Sequence, residues 1–173
     1  MEPNPLLKTF TPLLMKAAQN GPVLDLACGK GQNGLYLAEH GLPVILADRS
    51  PEALEEARRF AEGKSLHITF WEIDLETGGN PLKEDYYGAI LVCRYLHRPL
   101  IPFIKNGIKA GGFLIYETFT SDQSRYGPPH NPDHLLRPGE LLDWFKDWQI
   151  LHCFEGLLEN PTRAMAQIVC RKP

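Results

Sequence analysis

The sequence has no hydrophobic run that approaches the roughly 20 apolar residues a membrane-spanning helix needs, so no membrane partner is expected. Its first ten residues, MEPNPLLKTF, lack a charged segment followed by an apolar one, and no secretory leader is expected. Only four cysteines occur in 173 residues: Cys28, Cys93, Cys153 and Cys170. None forms a C-x-x-C pair, and three lie in or beside apolar runs. Metal and disulfide frameworks are therefore not expected, and free thiols in a reducing cytoplasm are. Neither sign of charge dominates: 18 Lys and Arg against 21 Asp and Glu leave a formal net charge of −3. Such a balance offers no general attraction to phosphate backbones or acidic membranes. There is no internal repeat and no linker-like segment, so residues 1–173 read as one domain, a monomer or a homodimer.

What the chain does have is concentrated near its start. The stretch Val23–Gly34 reads VLDLACGKGQNG, an apolar run ending in Asp25 and followed by Gly29, Gly31 and Gly34. A second apolar run, VILAD, ends at Asp48. This order predicts a buried strand (23–27), a glycine turn, a helix (31–39) and a second strand (44–48) tipped by a carboxylate. An amphipathic helix is expected over 6–20, closed by Asn20-Gly21-Pro22. Ser50-Pro51 predicts a capped helix with Leu54, Ala57 and Ala61 on one face, ended by Gly63. A third strand is expected over 66–73, ending near Asp74, and the turn-rich LETGGNPLKEDYY is expected to hold little regular structure.

Further strands are expected over 89–93 and 113–118, with a helix over 100–109 between them that Gly111-Gly112 ends. Residues 120–138 carry four prolines and predict a long loop of the kind that usually has a function. A short helix over 138–145 follows. Two strands, 148–155 and 164–171, joined by a turn at 159–162, complete the chain as an antiparallel pair. Alternating strands and helices imply a parallel sheet with right-handed crossovers. The fold class is thus α/β, Rossmann-like and doubly wound, with a mostly parallel seven-stranded sheet and a C-terminal antiparallel hairpin. Ligands of such sheets sit beyond the carboxyl ends of the strands. Asp25–Gly31, Asp48, Asp74, Cys93–His97 and Glu117–Thr120 all fall at that end.

The glycines make a complete G-x-G-x-x-G, which on its own also fits a nicotinamide enzyme with Asp48 as the ribose acid. Three features point to another ligand. Asp25 would repel a pyrophosphate but tolerate a cationic, zwitterionic cofactor. Asp74 ends the third strand, where it can accept a hydrogen bond from an exocyclic amine. The closing hairpin is unlike the second half of a dinucleotide fold.

These residues resemble class I S-adenosylmethionine-dependent methyltransferases, over nearly the whole chain from Val23 to Lys172. D-x-A-C-G-K-G at Asp25–Gly31 is similar to the family's glycine loop, with Ala27 where glycine is commoner. The helix usually found between strands three and four is short or missing. Within the family, LLRPGELLDWFKDWQILHCFEG and RAMAQIVCRK resemble the tellurite-resistance methyltransferase group. The resemblance implies S-adenosyl-L-methionine as cofactor. It also implies a binding set of Asp25, Ala27, Cys28, Gly29 and Gly31 in the loop, Asp48 at the ribose, Asp74 and Leu75 at the adenine, and Arg49 and Cys93. It further implies a small, soft acceptor such as a chalcogen oxyanion or a thiol.

Methyl transfer from a sulfonium is an in-line displacement, so alignment and exclusion of water are the main demands. A base is needed only where the acceptor must lose a proton. The catalytic candidates follow strands four and five: Arg94 to bind an anionic acceptor, His97 as base or orienting group, and Glu117 pointing into the pocket. RYGPPHNPDHLLRP (125–138) reads as a lid. No N/D-P-P-Y/F element follows the fourth strand and no Pro-Cys nucleophile occurs, so nucleic acid is not expected as a direct partner, and a tRNA or protein substrate presented by a partner stays open. A non-catalytic S-adenosylmethionine-binding protein or partner subunit remains the alternative, with a NAD-dependent oxidoreductase behind it.

Overall fold

The computed structural model describes residues 2–173. After helix α1 (Pro5–Ala17) the chain alternates: β1 (Val23–Leu26), α2 (Gln32–Glu39), β2 (Val44–Asp48), α3 (Pro51–Ala61), β3 (Ile68–Glu72), β4 (Tyr87–Cys93), α4 (Ile101–Gly107) and β5 (Ile108–Phe119). Then come α5 (Glu140–Phe145), β6 (Gln149–Leu158) and β7 (Arg163–Arg171). The seven strands form one sheet in the order β3-β2-β1-β4-β5-β7-β6. The first five are parallel, while β7 runs antiparallel to both β5 and β6. No helix among the described residues is long and apolar enough to cross a membrane.

Strand alternation assigns each side chain to a face. Leu24 and Leu26 enter a core shared with Ile101 and Ile104 of α4 and Leu141 and Phe145 of α5. Val23 enters the opposite core, with Leu7 of α1, Leu37 of α2 and Leu54 of α3. Three layers follow, α1–α3 on one face of the sheet and α4–α5 on the other. Every residue of β1 is buried, as expected of a strand covered on both sides. By the same alternation Asp25 lies on the α2 face, 1% exposed. Gly34 explains how α2 comes so close there. A Cβ at that position would overlap the Leu46 side chain and lie 3.1 Å from Asp25 Oδ2.

The elements begin and end for local reasons. In α3, Ser50 Oγ accepts the Ala53 N–H at 3.1 Å and Pro51 occupies the first turn. The expected 100–109 helix is shorter than the sequence suggested. It stops at Gly107, and Gly111-Gly112 lie within β5, where the pairing with β4 slips between Tyr87 and Ala89. The glycines serve a bulge rather than a helix cap. Residues 74–86 contain no helix or strand, as the turn-rich composition implied.

Candidate functional site

β1 and β4 both end on a non-glycine residue in the left-handed region, Ala27 (φ 54°) and Arg94 (φ 56°). Such backbone costs about 1–3 kcal/mol and persists where surrounding structure enforces it. Both residues line both of the cavities that open at the carboxyl end of the sheet. They mark the junction of one continuous site.

The larger cavity, about 570 Å³, lies over β2, β3 and the loop after β4. Asp48, Arg49, Asp74 and Leu75 line it, as do Tyr95 and Leu96. Asp48 is held rigidly: its Oδ2 accepts the Gly29 N–H at 2.6 Å and its Oδ1 accepts the Ser50 N–H at 2.9 Å. Each carboxylate oxygen retains a lone pair for a ligand hydroxyl. Asp74 is exposed, and its Oδ1 accepts the Glu76 N–H at 2.9 Å. Gly29 (φ 55°) lines neither cavity, but a Cβ there would meet no atom within 4 Å, leaving open space above the loop. Gly31 is buried against Leu46 and Ala57 at the start of α2.

The smaller cavity, about 340 Å³, is lined by Asp25, Cys28, Asn33, Cys93 and Arg94, and by Asn4 and Arg163. The Asp25 carboxylate accepts the Gly34 N–H at 2.8 Å and has no cationic side chain in salt-bridge range among the described residues. Burial raises its pKa to about 7, against the pull of the Gly34 N–H and with a further push from the Asp48 charge. Burial also pushes the Cys28 and Cys93 thiols well above their ordinary range, so both stay protonated.

Two guanidiniums face this carboxylate-lined cavity without an acid of their own. Arg94 is exposed on the wall, and Arg163 carries a buried Nε with no hydrogen-bond partner. Such a buried orphan donor is uncommon and costly, so it marks a place where a ligand acceptor would fit. Arg163 has no sequence motif. Only its position at the start of β7, paired beside the end of β5, brings it to the ligand end.

Two sequence candidates stand elsewhere. Glu117 is 5% exposed and lines neither cavity. Its Oε1 accepts Asn4 Nδ2 at 2.7 Å and its Oε2 accepts Gln167 Nε2 at 2.5 Å, so both oxygens are turned into the fold. This pairing ties the N-terminal segment to the sheet, and Asn4 also donates its backbone N–H to Asn33 Oδ1 at 2.9 Å. His97 precedes the turn before α4, makes no side-chain capping hydrogen bond there and lines neither cavity. Of the expected lid, Pro128, Pro129 and His134 line the larger cavity, beside Phe119 at the end of β5. His130 does not, and no cluster of three metal-ligating side chains occurs among the described residues.

The donor set suits a nucleoside cofactor with a cationic end. Asp48 can accept from a ribose diol, while the uncompensated Asp25 would favour an ammonium or sulfonium and oppose a pyrophosphate. Residues 23–106 match the profile of a methyltransferase domain. The chain is 28% identical, over 142 residues, to the probable S-adenosyl-L-methionine-dependent methyltransferase TehB of Haemophilus influenzae, covering 79% of this chain and 49% of that protein. It is 25% identical to the tRNA 5-carboxymethoxyuridine methyltransferase of Escherichia coli, covering 87% of this chain and 77% of that protein. The crystal structure of TehB from H. influenzae has the same fold, with a TM-score of 0.75 at 24% identity over 94% of this chain and 62% of that one. The chain thus spans about half the length of the TehB proteins it matches.

Proposed function

We propose that this chain, which carries a class I S-adenosylmethionine-dependent methyltransferase domain resembling TehB, transfers the methyl group to a small anionic acceptor such as a chalcogen oxyanion or a thiolate. One observation carries the reading: an uncompensated buried carboxylate, Asp25, and two unpaired guanidiniums, Arg94 and Arg163, line the same cavity. The carboxylate suits the cationic end of the cofactor. The guanidiniums suit an anion brought beside it. The relatives' names cite unlike acceptors, so the acceptor is argued from this chain's own pocket.

When bound, the cofactor would supply an electrophilic methyl carbon on a sulfonium, open to an acceptor lone pair, with the carbon–sulfur electron pair leaving on sulfur. The chain's residues have three tasks. Asp48 fixes the nucleoside through an anchored carboxylate, and Asp74 and Leu75 form the adenine edge. Arg94 and Arg163 hold the acceptor's charge and direct its lone pair. Phe119, Pro128 and Pro129 cover the site and exclude water. An oxyanion or thiolate needs no base, consistent with the placement of His97 and Glu117 off the cavity walls. Cys28 and Cys93, protonated by burial, do not compete as acceptors. Four free thiols fit a reducing cytoplasm.

The test is calorimetric titration with S-adenosylhomocysteine, with NADH as control, followed by assays of selenite, tellurite and small thiols with S-adenosylmethionine. Micromolar binding of the first ligand alone, with methylated product from an anionic acceptor, is expected. Binding of NADH, or of neither ligand, refutes the cofactor reading. Binding without product from any of the three acceptor types refutes the acceptor class.

A further inference from the structure

The excursion between β5 and α5 is fastened at three places. At its neck, Leu136 N–H donates to Phe119 O at 2.9 Å and Ser121 N–H to Leu136 O at 2.8 Å. In its first half, the buried Gln123 accepts the Ala164 N–H from β7 at 2.9 Å and donates to Pro128 O at 3.1 Å. In its second half, Leu135 and Leu136 are buried, and Arg98 adds the remaining tie. That guanidinium donates to both oxygens of Glu140, at 2.7 and 2.8 Å, to Leu135 O at 2.9 Å and to Asp133 O at 3.1 Å.

The position of this clasp gives it a consequence for the site. Arg98 lies just beyond Arg94, Tyr95 and Leu96, which line the larger cavity, while its carbonyl acceptors flank His134, which lines the same cavity. Residues 130–134 are all exposed and bury no apolar side chain. Little else holds them down, and segments of that kind open locally. A single exposed ion pair would contribute little. A two-pronged guanidinium–carboxylate pair with two further carbonyl acceptors, its carboxylate only 14% exposed, is a much firmer joint.

We propose that Arg98 is a positioning residue that keeps residues 130–135 closed over the nucleoside cavity, so that the clasp governs how fast the cofactor leaves. The proposal rests on the cofactor reading above. Arg98 touches neither cavity, so its effect passes through the lid.

The experiment compares the full chain with Arg98→Ala, Arg98→Lys and Glu140→Gln by stopped-flow binding of S-adenosylhomocysteine and by amide hydrogen exchange without ligand. Arg98→Ala is expected to raise the release rate at least about fivefold and leave the association rate within about twofold, as loss of a lid contact should. Arg98→Lys, which keeps the charge but not the fork, is expected not to rescue release. Glu140→Gln, which keeps one carbonyl acceptor, is expected to fall between. Exchange at Leu135 and Leu136 should quicken in Arg98→Ala while that of β4 and β5 stays unchanged.

Three outcomes overturn the proposal. A lower melting temperature with unchanged release would make Arg98 merely structural. Unchanged exchange at Leu135 and Leu136 would show that the clasp does not hold the lid. Failure of the native chain to bind S-adenosylhomocysteine would remove the cofactor reading as well, and the clasp's role with it.

Discussion

On the proposed placement of Asp25 beside the cationic end of the cofactor, affinity should rise with pH up to about 7, because below that pH the acid is largely neutral in the empty site and charged in the filled one. Asp25 is buried and titrates near pH 7 in the free protein. A cation placed beside it would return it toward the ordinary carboxylate range, near 4. Below pH 7 each unit of pH then changes affinity by at most about tenfold, or about 1.4 kcal/mol. At pH 5.5 only about one free molecule in thirty has Asp25 ionised, so S-adenosylmethionine should bind roughly 30-fold more weakly there than at pH 8. The same shift acts on folding with the opposite sign. A raised carboxyl contributes stability fully below the unfolded value, and this contribution is lost as pH rises from about 4 through 7. The free protein should therefore lose stability over that window, and the complex should not. The assay is calorimetry at pH 6.5 in phosphate and in Tris, whose ionisation heats differ. Release of between half and one proton per cofactor bound is expected. Asp25→Asn should abolish that release and flatten the affinity profile. No proton release in the native chain, or the same release from Asp25→Asn, would refute the assignment of Asp25 to the cationic end of the cofactor.

Arg163→Met should leave cofactor affinity within about twofold and should not lower the melting temperature, since it removes a buried donor that already lacks a partner. It should raise the KM for selenite about tenfold or more, the effect of losing a charge-assisted contact; an unchanged KM in steady-state assay would remove Arg163 from the acceptor site. Gly34→Ala should destabilise the fold by about 1–3 kcal/mol in urea unfolding, because the new methyl overlaps Leu46 and crowds Val44 and Asp25. A neutral result there would mean that α2 can withdraw from β2 without penalty.

The sheet was legible because its strands carry their own signals. VLDL, VILAD and AILVC are short apolar runs, and the glycine turn fixes where α2 starts. Once the strands are placed, the register puts Asp25, Asp48 and Asp74 at one end, so half of the site was implied by local pattern alone. The hairpin was readable in the same way, down to the turn at 159–162. Errors arose where one residue type serves two geometries. Gly111-Gly112 end helices in many chains but here relax a bulge in β5, and nothing local distinguishes the two.

The acceptor side was much less legible because it is built by pairs far apart in the chain. Glu117 has the right place in the sequence for a pocket acid, yet Asn4, 113 residues earlier, and Gln167, 50 residues later, turn its oxygens inward. Arg98 follows a strand end as an ordinary charged residue would, and only Glu140, 42 residues on, makes it a clasp. Arg163 lies in a hairpin whose sequence says strand and no more. On the proposed reading these residues govern what the site can hold and how long it holds it, while the local glycine and aspartate signals govern which cofactor it can accept. Since the cofactor half depends on single segments and the acceptor half on joints between segments, substitutions in the two halves should separate. Asp25 and Asp48 variants should alter cofactor binding first. Arg94 and Arg163 variants should leave it intact and alter which anion is methylated.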